Sequence, residues 1–149
     1  MVLTFPCKPQ QLSQDVMLAG ARTAMRMTGC ASSGMTFALA RADVASPQQA
    51  EPVLRQLRQA ALDNLRGHVL ASQPASVPQA TPGLAAALEL DIEGSGSDGA
   101  ALREHLLLFA QGATVYQALV LGPAPGFQDE AAHTFTSSIR LSPAHAAAQ

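Results

Sequence analysis

The chain has little of what usually betrays a function. Among its 149 residues there is no tryptophan and one tyrosine, only two cysteines, and only 13% charged side chains, about half the usual charged share. Lys8 is the sole lysine, the eight arginines are scattered, and the formal net charge is −2 with a pI near 6.0. That balance argues against the basic footprint needed to hold nucleic acid. No apolar run reaches 18 residues, so no segment reads as a membrane-spanning helix. The N-terminus shows no basic region followed by an apolar stretch. Met1 running into a strand suits a cytoplasmic protein, or an exported one whose leader has been trimmed.

Absent spacings exclude chemistry as well. The histidines are His68, His105, His133 and His145, and no two Cys or His residues lie within five positions of each other. Zinc sites usually show close pairs, so the spacing gives no metal site and implies no cofactor. Asp91 to Asp98 resembles a calcium loop only loosely, because its twelfth position is Leu102 rather than a glutamate. Gly94, Gly96 and Gly99 precede a strand and lack the GK[ST] of a phosphate loop. The turn Gly29–Gly34 carries serines without G-x-S-x-G. Arg55 and Arg58 read as a solvated helix face, and Met17, Met25, Met27 and Met35 as soft core.

What is present is apolar patterning. Hydrophobic residues make up 48%, and a chain this long suits one domain, here 1–141 with a flexible tail at 142–149. From Gly83 to Leu141 the pattern is three strands and a helix. Leu84–Ile92 alternates, with Ala86, Leu88, Leu90 and Ile92 on one face and Glu89 and Asp91 on the other. Leu102–Phe109 is apolar on both faces at its centre, and Thr114–Leu121 follows. A short helix spans Asp129–Ser138 with Ala132, Phe135 and Ile139 inward. Strands greasy on both sides need cover on both sides.

The first part reads as Leu3–Phe5 opening an edge strand broken by Pro6 and Pro9. A hairpin of Gln11–Leu18 and Ala21–Thr28 turns at Ala19-Gly20, and a strand covers Met35–Ala42. A long helix then runs from Ser46, an N-cap in a capping box with Gln49, to a stop at Gly67. Its stripe is Ala50, Val53, Leu54, Leu57, Ala61 and Leu65. Val69–Ala71 reads as a short strand before a proline-rich loop. The expected fold class is α+β, a three-layer αβα sandwich around a largely antiparallel sheet.

Two candidate sites follow. If 18 pairs with 21 across the hairpin, Pro9 lies opposite Cys30, and a bulge brings Cys7 into register. A Cys7–Cys30 disulfide, two buried thiols and a reactive thiol all stay open at this point. A disulfide would imply an oxidising, periplasmic or otherwise exported setting. His105, with Arg103 and Glu104 beside it, is the other candidate for a ligand or metal pocket. Its bland reading is a partly buried structural histidine.

The segments Phe5-Pro6-Cys7-Lys8-Pro9 and Phe135-Thr136-Ser137-Ser138-Ile139-Arg140-Leu141 resemble the FPxxP and F-x-x-S-x-R-L motifs of small bacterial proteins of PsbP-like architecture. The resemblance spans Leu3 to Leu141. It implies a non-enzymatic interaction domain whose partner is another protein. The PsbP proteins assist the oxygen-evolving side of photosystem II, and a eukaryotic relative in fold binds the GTPase Ran. The competing expectation is a small-molecule or metal-binding protein, conceivably an enzyme, with its pocket near His105.

Overall fold

The computed structural model describes residues 1–143. In chain order the elements are β1 (Gln10–Leu18), β2 (Ala21–Ser32), β3 (Met35–Asp43), α1 (Ala50–Leu65), β4 (His68–Pro74), β5 (Leu88–Ser95), β6 (Ala101–Gln111), β7 (Thr114–Pro123) and α2 (Asp129–Ser137). The strands form one antiparallel sheet in the order β1-β2-β3-β7-β6-β5-β4. The first hairpin has the expected register, with Leu18 opposite Ala21 and Gln10 opposite Gly29. Ala19 and Gly20 both hold positive φ, 50° and 80°, the backbone a two-residue turn demands. The next turn is tighter than the expected Gly29–Gly34. It uses only Ser33 and Gly34, again at positive φ, so Gly29 and Cys30 stay in the ladder opposite Ala38 and Phe37.

α1 buries all six expected apolar positions, Ala50, Val53, Leu54, Leu57, Ala61 and Leu65. Its ends differ from expectation. Pro47–Gln49 forms a 3-10 turn whose first carbonyl, that of Ser46, accepts the Gln49 N–H at 3.0 Å, and the Ser46 side chain makes no cap. At the other end Arg66 takes the left-handed conformation. Its N–H reaches Asp63 O and the Gly67 N–H reaches Leu62 O, a Schellman closure. Gly67 is needed for space rather than for φ: a Cβ there would lie 2.9 Å from Glu93 O, and one on the facing Gly94 would lie 2.8 Å from Leu65 Cβ.

The helix also solves a crossing problem. β3 and β4 are four strand spacings apart in the sheet, about 19 Å, and sixteen helical residues span about 24 Å. α1 therefore carries the chain across β7, β6 and β5 to the far edge. The centre of β6 beneath it is closed to water, with residues 104 to 110 all buried. The cover that its pattern demanded is present on both sides.

The three-layer αβα sandwich is not what forms. Strand takes 48% of the described residues and helix 20%, and the fold is largely a seven-stranded antiparallel sheet carrying two helices. An apolar face requires cover, but not helical cover. The face opposite α1 is closed by the nine-residue α2 together with irregular chain, including Leu3, Phe5, Ala75, Val77 and Ala80. The expected opening strand at Leu3–Phe5 is likewise absent; only Val2 bridges to Arg140. In the meander, Leu84–Ala87 curls into a turn and β5 starts at Leu88.

The N-terminal segment is held to this face by covalent and aromatic contacts. Cys7 and Cys30 form a disulfide with Cα atoms 5.9 Å apart. The Phe5 and Phe135 rings lie 5.2 Å apart, and Phe37 meets Phe135 at 5.3 Å. Ser138 Oγ accepts the Thr4 N–H at 3.0 Å. The two motifs quoted for the resemblance thus pack against each other, each serving as cover for the sheet. Of the expected tail, 144–149 lies outside the described residues, and His145 with it.

Reducing the disulfide opens a loop of 23 residue steps, so stability should fall by roughly 3 kcal/mol. Urea unfolding with and without reductant measures this, and intact mass should rise by two hydrogens on reduction. Gly94→Ala should destabilise by more than Gly96→Ala, whose nearest contact is a side-chain oxygen of Asp98 at 3.1 Å.

Candidate functional site

The β5–β6 register sets Asp91 directly opposite His105. The pleat puts Glu89, two residues away, on the same face. His105 is 1% exposed and lies between the two acids: Nδ1 is 2.9 Å from Asp91 Oδ1 and Nε2 is 2.9 Å from Glu89 Oε2. α2 roofs the cluster. It brings Thr136 Oγ1 to 3.4 Å from His105 Nε2 and the His133 ring to 4.5 Å from the His105 ring. On the flank, Gln73 of β4 pairs with Glu89 and donates to Oε1 at 3.0 Å. Glu89, His105 and His133 each present a ligand atom, all within 4.8 Å of one another.

The electrostatics follow from that geometry. The hydrogen bond from His105 is the main reason the Glu89 carboxyl drops to about 2, against the opposing effect of burial. Burial on its own would depress His105. The hydrogen bonds to Glu89 and Asp91, with the charge of both acids, outweigh it and hold the imidazole above its ordinary value. The two acids thus favour the protonated form of the ring under α2. Asp91 fixes the Nδ1 proton, so Nε2 faces Glu89, Thr136 and His133.

The expected trio of Arg103, Glu104 and His105 is not brought together. Arg103 shares the His105 face, but its guanidinium bonds Asp129 at 3.2 Å and sits 5.1 Å from the Phe127 ring. Glu104 points through the other face of the sheet, toward α1. It is 5% exposed, and its Oε2 has no partner among the described residues. Burial pushes that carboxyl up to about 7. The cysteines offer no chemistry here, since both sit in the disulfide. Glu89, Asp91 and His133 were missed by close-spacing rules because they reach His105, on β6, from two other elements, β5 and α2. The available signal was Glu89-x-Asp91, two acids on one strand face. Using it required the hairpin register, and a slip of one residue reverses every face.

These shifts have opposite consequences for stability. Glu89 is depressed on folding, so its contribution is complete above its ordinary 4.5 and is lost as pH falls toward about 2. His105 is raised, so its contribution is complete below 6.5 and is lost as pH climbs through the folded value. Glu104 is an acid raised on folding: the fold holds its proton more tightly, so it costs stability increasingly from pH 4.5 to about 7. Glu104→Gln should remove that last slope. The difference between variant and native protein should move by about 3 kcal/mol in the variant's favour between pH 4.5 and pH 8. Denaturant midpoints across that range check it.

No protein-family model matches the chain, and no curated protein is significantly similar to it.

Proposed function

We propose that the chain is a non-enzymatic binding domain of the bacterial cell envelope, and that its ligand is a divalent transition-metal ion held by Glu89, His105 and His133. The observation carrying this reading is the convergence of two imidazoles and one carboxylate within 4.8 Å, with Asp91 behind His105. Two nitrogens and an oxygen suit Zn²⁺. A carboxylate on the far ring nitrogen is the usual means of orienting a ligating histidine. Binding takes the imidazole in its neutral form, Nδ1–H on Asp91, with Nε2 as donor.

A holding role fits better than a catalytic one. The cavity beside Glu89 and Thr136 has a volume of only about 70 Å³, room for water but not for an organic substrate. The envelope setting rests on the disulfide, since such crosslinks persist in oxidising compartments. No helix among the described residues is long and apolar enough to cross a membrane.

A second reading, docking of another protein, draws on the sequence resemblance and on the edge strands. β1 exposes Leu12 and Met17, and β4 exposes Leu70; open edges are natural pairing surfaces. It makes no demand on the histidine cluster, so metal titration separates the two.

Calorimetric titration of the oxidised protein with Zn²⁺ should give one site. His133→Ala, on an exposed position, should weaken it at least about tenfold without unfolding the chain, and Asp91→Asn roughly ten- to a hundredfold. Absorption spectroscopy at the zinc edge should show mixed nitrogen and oxygen ligands. Absence of binding, or unchanged affinity in His133→Ala, would overturn the metal reading.

A further inference from the structure

On the opposite face of the sheet lies a separate cavity of about 310 Å³, between the β1–β2 ribbon and α1. Its origin is in the sequence. β3 turns small residues toward this face, Thr36, Ala38, Ala40 and Ala42, the alanines opposite Gly29, Met27 and Met25 of β2, so the sheet floor is shallow there. Above it, α1 contributes Ala60 and Ala61 beside Leu57. Small residues on both layers leave a gap. Gln56 props the ribbon at one end, donating to Met17 O and accepting the Ala19 N–H at 2.9 Å.

The walls include Met25, Met27, Leu57 and Leu119, and one ionisable side chain lines the cavity: Glu104. That carboxyl is 5% exposed, with Oε2 unpartnered among the described residues. A buried acid oxygen without a donor is costly and calls for a partner from outside the chain. Asn64 and Gln117 also line the cavity and offer amide oxygens to further N–H groups. Thioether walls adapt to varied apolar shapes.

We infer that this cavity binds a small organic cation, a primary ammonium on a short apolar body, with its head group on Glu104. The volume allows about ten non-hydrogen atoms, taking a water's share of roughly 30 Å³ for each. An anion is disfavoured because the one ionisable group it would meet is an acid. A purely apolar ligand would leave Glu104 as it stands, without a donor. The site is independent of the histidine cluster: Glu104 and His105 are neighbours on β6 whose side chains leave opposite faces.

The test uses hexylammonium, with hexanol and hexanoate as matched probes, followed by amide chemical shifts and calorimetry on the oxidised protein. Hexylammonium should bind with shifts at Met25, Leu57, Glu104 and Leu119, roughly ten- to a hundredfold more tightly than hexanol. Hexanoate should not bind. Glu104→Gln should erase the preference for the cation while leaving Zn²⁺ affinity unchanged. Equal binding of hexanol and hexylammonium by the native protein, no binding of either, or full retention of the preference in Glu104→Gln would each overturn the inference. The comparison of probes on the native chain stands even if the variant fails to fold.

Discussion

The burial of β6 on both faces is the constraint on which the rest of the molecule depends. From Glu104 to Ala110 every residue is withdrawn from water, and Leu106, Leu108 and Phe109 are among the largest fully buried side chains. A strand in that position needs hydrogen-bonded neighbours on both edges and apolar cover above and below. β5 and β7 supply the edges. α1 supplies one cover, and it must cross three strands to do so because β4 sits at the far edge. The second cover is assembled from α2 and chain without regular structure. Hydrophobic burial is non-directional, so irregular segments serve as well as a helix, provided something holds them in place.

That need explains the effort invested in the N-terminal segment. Residues 2 to 9 lie outside the sheet ladder, and an untethered terminus of this kind tends to be poorly ordered. Here the Cys7–Cys30 bond, the bridge between Val2 and Arg140, and the Phe5–Phe135–Phe37 contacts fasten it over the face that α2 shares. Tying the terminus down in this way keeps Leu3 and Phe5 packed on the apolar face that α2 also covers.

The buried strand also carries two ionisable neighbours with opposite fates. His105 meets two carboxylates that favour its protonated form; Glu104, one residue away, meets none and is driven toward its neutral form. The difference arises from the pleat, which sends consecutive side chains through opposite faces into separate environments. Placing titratable groups on a doubly buried strand costs stability unless each is paired. One is paired inside the chain. The other faces a cavity.

Local pattern determined most of the elements. The 3.6-residue stripe of α1, the alternation in Met35–Ala42, the two-sided apolarity of Leu102–Phe109 and the Ala19-Gly20 turn each encode structure within a few residues, and the structure bears each of them out. The hairpin register even brought Cys7 within reach of Cys30. Tertiary structure decided what covers the second face and where the loop-joined β5–β6 hairpin pairs. It thereby decided which acids reach His105 and which way Glu104 points. These are contacts between residues distant along the chain, selected by total burial and by a register that no single segment specifies. For that reason the architecture was expected as three layers and the site as three consecutive residues. The molecule instead closes one sheet with irregular chain and builds its cluster from three elements.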